Sequence, residues 1–584
     1  MSKVRRILVV VGFPLYMLCF VQCNSNNELL HGDTDNGGLN LPDGFDAIAV
    51  VDSIGFARHI AVNTNGDIYV KLTRTLDRNK GNVALRDTDG NGTADSVVYF
   101  GDYEAKSTYG ATGMRIYNDY LYFGSDYAIY RNKLTPGKLV PESEIEVILT
   151  DDYENSVHGY EHIAKAMTFD TEGNMYVPYG APGDVCRIET RVPGSLGMDP
   201  CPELEEHAGI WKFDASKKNQ TQKDGVRYAT GLRSILALDW NRTNSTLYAV
   251  QHGRDGFLNS WPELYDAWDN AMLPAEEFFE IPEGSDAGWP YYYYDQIQGK
   301  KILMPEYGGD GKKEGNGKDY LQPLIGFPGH YAPMDMLFYT GDQFPDRYKN
   351  GAFIAFHGSN IRAPYPMAGN MICFVPFEKG KPSGPWEIFA DGFAGRDTVL
   401  SSSEFAYRPM GLAMGPDGSL YVTDSNKGKI WRILFNGDKK QFGAEQLAGM
   451  ERKRQLLNIK TPDKTKDDFS MGKPAVGENL YNIHCSSCHQ KDGKGDGLRF
   501  PPIEESEWVS GDKSDLIDIV LNGLQGSIEV KGKKYTGVMP AFNALSDGEI
   551  ARILSYIRLN FGNTSSAVRT KEVTKVRTGQ STIN

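Results

Sequence analysis

A strand–turn–strand unit recurs six times along this chain, and the recurrence limits its fold more than any other feature. The copies run from Ile60-Ala61-Val62 to Ile68-Tyr69-Val70, and from Gly113-Met114-Arg115 to Leu121-Tyr122-Phe123. Next come Ala166-Met167-Thr168-Phe169 to Met175-Tyr176-Val177, and Leu236-Ala237-Leu238 to Leu247-Tyr248-Ala249. A looser copy runs from Met336-Leu337-Phe338-Tyr339 to Phe353-Ile354-Ala355, and Gly411-Leu412-Ala413-Met414 to Leu420-Tyr421-Val422 closes the series. Four of the turns carry hairpin chemistry, at Asn65-Gly66, Asn118-Asp119, Glu172-Gly173-Asn174 and Asp417-Gly418. One such unit cannot bury both of its faces, so its neighbours must cover it. The strands of a β-sandwich would not repeat as near copies. The pattern predicts an all-β six-bladed β-propeller over residues 41–435, with the long insertions 186–209 and 255–330 on its binding face.

The second constraint is Cys485-Ser486-Ser487-Cys488-His489. C-x-x-C-H is the attachment signature for a c-type haem: two thiols form thioethers and the adjacent histidine becomes an axial iron ligand. A zinc site would need further Cys or His partners, and His484 is the only extra one nearby. Met539-Pro540 follows about fifty residues later and supplies Met539 as second axial ligand, which raises the reduction potential. Met450 and Met471 are rivals, but both precede the haem motif. Residues 471–562 are predicted to form a small all-α domain, with a helix whose Ile550, Ile553, Leu554 and Ile557 share one face. Residues 436–470 read as a charged linker, and 563–584 as a polar disordered tail.

The N-terminus reads as an export signal, which fits the haem motif, because c-type haem is attached outside the cytoplasm in bacteria. Lys3, Arg5 and Arg6 precede an apolar run, Ile7 to Phe20, too short for a comfortable transmembrane span. The segment 1–23 reads as a lipoprotein-type signal, with Cys23 as the acylated residue that anchors the chain to a membrane, and 24–40 as a flexible linker. Gln22 departs from the small residue usual before such a cysteine. The localisation expected is periplasmic or outer-membrane-anchored. Cys186 and Cys201 are close enough in sequence for a disulfide in an oxidising compartment, and Cys373 is left as a buried thiol. The net charge of −14 argues against a nucleic-acid partner.

Two resemblances sharpen these expectations. Val538-Met539-Pro540-Ala541-Phe542, with Gly493-Lys494-Gly495-Asp496-Gly497 after the haem motif, resembles class I cytochromes c. The propeller resembles the glucose/sorbosone dehydrogenase family, which uses pyrroloquinoline quinone (PQQ). That resemblance rests on the segments Ala57 to Val62, His162 to Phe169 and Gly231-Leu232-Arg233. It rests also on His252-Gly253-Arg254-Asp255, Gly288-Trp289-Pro290, Phe356 to Arg362 and Arg408-Pro409-Met410-Gly411. It implies that Arg58, Arg233, Arg362 and Arg408 meet the carboxylates of PQQ, for which the guanidinium fork is suited. It implies that His162 is the base that takes a hydroxyl proton, assisted by Arg233, with His357 and His330 as further pocket residues. It also implies a calcium ion on backbone oxygens of Gly253 and Arg254. Ser234, Lys165 and Pro178-Tyr179-Gly180 depart from the family pattern and leave the substrate open.

A separate acidic loop, Asp87-Thr88-Asp89-Gly90-Asn91-Gly92-Thr93-Ala94-Asp95, places oxygen ligands at alternating positions. Asp87, Asp89, Asn91 and Asp95 are candidate calcium ligands, although Val98 stands where an EF-hand loop has Glu. Taken together, the expected function is oxidation of a sugar or similar alcohol with PQQ, and passage of electrons through haem c to an external acceptor. One alternative is a haem protein whose propeller only binds carbohydrate or protein. The other is a calcium-dependent lactonase-like hydrolase, which would leave the arginines and the haem without a purpose.

Overall fold

A computed structural model describes residues 30–73, 80–103, 112–151, 161–190, 192–362, 365–396, 399, 401–449, 477–545, 547–568 and 570–579. The signal segment 1–23, the rival ligands Met450 and Met471, and most of the 436–470 linker lie outside these residues.

Each of the six repeats is the inner pair of strands of one sheet, antiparallel but for two short parallel edges, Gln220–Thr221 on Glu146–Thr150 and Ser285–Asp286 on Val226–Thr230. Blade 1 is Ala57–Val62, Ile68–Leu72, Asn82–Arg86 and Ser96–Phe100, and blade 2 is Met114–Tyr117, Tyr120–Gly124, Ala128–Lys133 and Glu146–Thr150. Blade 3 starts at Thr168–Phe169, blade 4 at Ile235–Asn241 and blade 5 at Pro333–Phe338. Blade 6 takes Pro409–Met414, Leu420–Asp424 and Ile430–Phe435 from the end of the domain and Phe45–Val51 from its start. Phe45 faces Phe435 in that register, so the first strand closes the ring on the last. Inner strands such as Ile68–Leu72, Ala352–Phe356 and Leu420–Asp424 are buried at every position, as blades covered on both faces require.

Two devices hold the ring. Beneath blades 5 and 6, Phe45 packs edge-on against Phe344, Phe389 and Phe435 at centroid distances of 4.8–5.0 Å. Each such ring contributes about 1.5–3 kcal/mol through burial. Near the axis, the fully buried Asp335 of blade 5 accepts from Arg115 of blade 2 at 2.6 Å and from the Leu412 amide of blade 6 at 2.9 Å. His59 of blade 1 lies 3.5 Å from the same carboxylate. One carboxylate therefore ties four blades together.

The two insertions pack on each other. Tyr307 donates to the Cys186 carbonyl at 2.6 Å, and the Trp289 indole donates to the Asp184 carbonyl at 3.0 Å. Cys186 and Cys201 are bonded, with their Cα atoms 6.0 Å apart.

The C-terminal domain holds helices α1 (Gly477–His484), α2 (Ser486–His489), α3 (Lys513–Asn522), α4 (Asp547–Leu559) and α5 (Thr570–Arg577). Ile550, Ile553, Leu554 and Ile557 of α4 are buried, as the one-sided pattern requires. Two expectations are corrected. The domain is not all-α: Leu524–Val530 and Lys533–Met539 form a hairpin. Ile528 and Val530 pair there with Tyr535 and Lys533 around the turn residues Lys531-Gly532. Nor is the polar tail without structure, because α5 buries Val573 and pairs Arg577 with Asp547 at 2.7 Å and Glu572 with Lys513 at 3.3 Å. No described helix is long and apolar enough to cross a membrane.

Candidate functional site

The haem motif starts where α1 stops. Cys485 stands at the N-cap of α2, the one-turn helix Ser486–His489, and both motif cysteines are partly buried. The His489 Nδ1–H donates to the Pro501 carbonyl at 2.9 Å. That bond fixes the tautomer and leaves Nε2 as the ligating atom, as an axial histidine needs. Met539 ends the hairpin and packs with Cys485 against the domain core. Gly523 has φ +78°, and a side chain there would come within 2.6 Å of the Met539 carbonyl. These donors fit a covalent haem with His489 and Met539 on the iron.

The haem motif sits directly on the propeller. Asn360 donates to the Ser487 carbonyl at 2.9 Å, and Ser401 donates to the Ser486 carbonyl at 3.2 Å. Lys491 pairs with Glu404. Between the domains lies a cavity of about 610 Å³. Phe56, Arg58, Arg408 and Ser425 line it from blades 6 and 1, and Lys491 and Arg499 from the C-terminal domain.

Arg58 makes no side-chain hydrogen bond among the described residues, and its Nε is buried without a partner. Burial, and then the charge of Arg499, lower its pKa to about 10. Arg408 donates to the His357 carbonyl at 3.2 Å and to the Gly358 carbonyl; burial, then Arg499 and Arg58, lower its pKa to about 9. The His357 imidazole bonds Ser425 Oγ at 2.6 Å, and burial followed by Arg408 drives its pKa well down. Arg58, Arg408 and His357 are thus brought together as expected, and a polyanion fits such a cluster.

A second group gathers at blades 3 and 4. The His162 Nδ1–H donates to the Ala181 carbonyl at 2.7 Å, which leaves Nε2 as the basic atom. Burial, and then the Arg233 charge, lower its pKa to about 3. Arg233 pairs with Asp184 and donates to the Gly253 carbonyl at 2.7 Å. Asp255 lies 3.9 Å from Arg233 and 3.3 Å from His330 Nδ1. His252, its pKa lowered to about 4 by burial and then Arg233, also feels Arg58, so it stands between the two groups. Gly180 makes the second group possible: a methyl there would lie 2.5 Å from the His162 carbonyl and 3.1 Å from that of Arg233.

Arg362 does not join either group, contrary to expectation. It is fully buried and donates to the Ala271 and Gly329 carbonyls, both at 2.8 Å, and to Pro366 at 3.2 Å. Its motif position places it at a blade end, but its side chain turns inward as a strut. Arg254 likewise forms a buried pair with Glu306 at 2.6 Å. Because Arg233 already donates to the Gly253 carbonyl, a calcium ion there would share that oxygen with a guanidinium. Glu161, His162 and Asp184 place ligand-type atoms within 4.8 Å of one another, but Arg233 sets a cation on Asp184. In the acidic loop, carboxylate oxygens of Asp87, Asp89 and Asp95 lie within 4.8 Å of one another. Asn91 adjoins them: its Nδ2 donates to Asp89 at 3.0 Å, and its Oδ1 accepts from the Thr93 amide at 2.7 Å. Asp184, His252, Asn360 and Arg499 were not singled out from sequence. Asn360 and His252 lie inside the quoted motifs; Arg499 carried no signal, because it reaches the site from another domain.

Comparison with known proteins agrees with this division. Residues 298–435 match the TrAA12-like family, and residues 472–557 match the family described as cytochrome c oxidase, cbb3-type, subunit III. Among solved structures, the PQQ domain of pyranose dehydrogenase from Coprinopsis cinerea superposes with a TM-score of 0.53 at 17% identity, covering 68% of this chain and 97% of that one. A calcium structure of a Trichoderma reesei family AA12 enzyme gives 0.53 at 16% identity, covering 70% and 99%. These likenesses show the fold. Cytochrome c-552 of Thermus thermophilus is 43% identical over 93 residues, 15% of this chain and 70% of that protein. The cytochrome subunit of Gluconobacter japonicus fructose dehydrogenase is 27% identical over 169 residues, 27% of this chain and 34% of that subunit. Through its C-terminal domain the chain belongs to the c-type cytochromes. That domain is fused to a propeller of the fold found in PQQ-dependent sugar dehydrogenases.

Proposed function

We propose that this chain is a quinohaemoprotein dehydrogenase that oxidises a sugar or similar alcohol on its propeller and passes the electrons to its own haem c. The observation that carries this reading is the placement of the haem motif on the face bearing the arginine cluster, with Asn360 2.9 Å from Ser487 O.

PQQ, when bound, supplies the two-electron oxidant, and the covalent haem forwards single electrons. Arg58 and Arg408 hold carboxylates in a cavity where their charges are poorly screened. His357, kept neutral by burial and by Arg408, offers polar contact without adding charge. At the second group, Nε2 of His162 receives the hydroxyl proton of the substrate. The Ala181 carbonyl fixes its tautomer, with Nε2 free to accept. Arg233, oriented by Asp184 and the Gly253 carbonyl, stabilises negative charge as that proton leaves. Fusing both modules in one chain keeps the electron acceptor at high local concentration.

Calcium enters this reading as a structural ion at Asp87, Asp89 and Asp95. The same reading places the chain outside the cytoplasm, anchored through Cys23, where haem attachment and the Cys186–Cys201 bond are both favoured. Its external electron acceptor is a respiratory component.

The test is reconstitution of the haem-loaded protein with PQQ and calcium, followed by a panel of aldoses and alcohols while the reduced haem band is recorded. Sugar-dependent haem reduction that requires PQQ supports the reading. Absence of both PQQ binding and haem reduction refutes it.

A further inference from the structure

The cation cluster of the propeller is completed from the other domain. Arg499 belongs to the loop that follows the haem motif, yet it lines the same cavity as Arg58 and Arg408. Asp496 builds that loop: it accepts from the backbone amides of Leu498, Arg499 and Phe500 at 2.7–2.9 Å and takes Arg499 Nε at 3.0 Å. Among the described residues the terminal nitrogens of Arg499 have no hydrogen-bond acceptor. Lys491, on the same loop, is answered by Glu404. Arg499 is therefore the cation of this loop left facing the cavity.

We propose that Arg499 is the third cation of the propeller's anion site, so that a polycarboxylate binds between the two domains and clamps the cytochrome domain onto the propeller. The proposal rests on the PQQ reading above. Arg58, Arg408 and Arg499 repel one another across a cavity that Asp492 and Asp496 also line; Asp496 offsets part of the Arg499 charge, and the repulsion that is left opposes docking when the cavity holds only water. Arg499 lowers the pKa of both Arg58 and Arg408, second only to burial, which is the sign of that repulsion. An anion bearing several carboxylates reverses the sign of each contact. Its binding energy and the docking energy then become one coupled quantity. The coupling has a functional consequence: the haem motif is seated on Asn360 and Ser401 when the cofactor is in place.

The test uses full-length, haem-loaded protein purified without PQQ. PQQ binding is measured by titration calorimetry for wild type, Arg499→Gln, Arg499→Lys and Asp496→Asn. Hydrogen exchange is followed in residues 401–408 and 486–499 with and without PQQ. The expected result is binding to Arg499→Gln at least tenfold weaker than to wild type, with Arg499→Lys between them, because a charge-assisted pair is lost. Asp496→Asn binds no more weakly than wild type, since it removes a negative charge. PQQ slows exchange in both segments of wild type and not of Arg499→Gln. Equal PQQ affinity of wild type and Arg499→Gln overturns the proposal. So does an equal loss in Asp496→Asn, which would reduce Arg499 to a support of its own loop. Failure of wild type to bind PQQ is a different outcome and defeats the PQQ reading itself.

Discussion

Gly180→Ala isolates the positioning of the proton-accepting group. The added methyl would lie 2.5 Å from the His162 carbonyl, 2.6 Å from His162 Cβ and 3.1 Å from the Arg233 carbonyl. Ordinary contact begins at 3.4 Å, so the His162 segment must retreat by roughly 0.9 Å. Both obstacles at His162 belong to or adjoin the backbone, so no flexible side-chain end can yield instead. Overpacking of this kind costs about 1–3 kcal/mol of stability. A displacement near 1 Å at a reacting group costs on the order of 10²-fold in rate. Gly183→Ala is the control, because a methyl there meets nothing within 4 Å. Urea unfolding and sugar-driven haem reduction are measured for both variants. Gly180→Ala should lose stability and turnover together, and dithionite should still reduce its haem fully. If Gly180→Ala matches Gly183→Ala in both measurements, the close packing around His162 does not set its position.

Met539→His should keep a six-coordinate haem but lower its midpoint potential by on the order of 0.1–0.2 V, within the ~0.8 V span that axial ligands command; redox titration reads it. An unchanged potential removes Met539 from the iron. Stability should fall on acidification from pH 6.5. His59 is buried and His162, His207, His252 and His484 are partly buried; desolvation lowers the pKa values of His59, His207, His252 and His484 to about 4 and that of His162 to about 3. The unfolded chain binds these protons first, so stability present above pH 6.5 is lost progressively toward pH 4, by at most about 1.4 kcal/mol per pH unit for each histidine. Glu203 and Glu276, raised to about 7 by burial, act in the opposite direction between pH 4.5 and 7, so the urea midpoint should drop more steeply below pH 4.5. Truncation after residue 568 should cost about 2–4 kcal/mol in urea unfolding of the C-terminal domain, because it removes the buried Val573 and the Arg577–Asp547 pair. A truncated chain of wild-type stability would mean that α5 contributes no packing.

The propeller was legible because its inner strands are buried on both faces and joined by tight turns, which leaves apolar runs and Asn-Gly or Asp-Gly pairs in the sequence. The Met336 to Ala355 copy is looser because the connection between its strands carries a short 3-10 turn, Asp346–Tyr348, in place of a two-residue hairpin. Helix α5 was hidden because Val573 and Val576 are its few apolar anchors in a tail of charged residues. The hairpin 524–539 was hidden by its lysines and glycines, which serve an exposed ribbon rather than a core. Motifs placed Arg58, Arg233 and Arg408 at blade ends, where the structure gathers Arg58 with Arg408 and sets Arg233 beside His162. They could not tell them from Arg362, because the direction of a side chain depends on which carbonyls a neighbouring loop presents. Arg499 was beyond any reading of the propeller alone.

The central claim is that electrons taken from a substrate on the propeller arrive at the haem of the same chain. Rapid mixing of PQQ-reconstituted protein with substrate under anaerobic conditions tests it, with protein concentration varied. The account predicts haem reduction at a rate independent of protein concentration, abolished in His162→Ala while dithionite reduction persists. Reduction that scales with protein concentration, or that survives in His162→Ala, would contradict it.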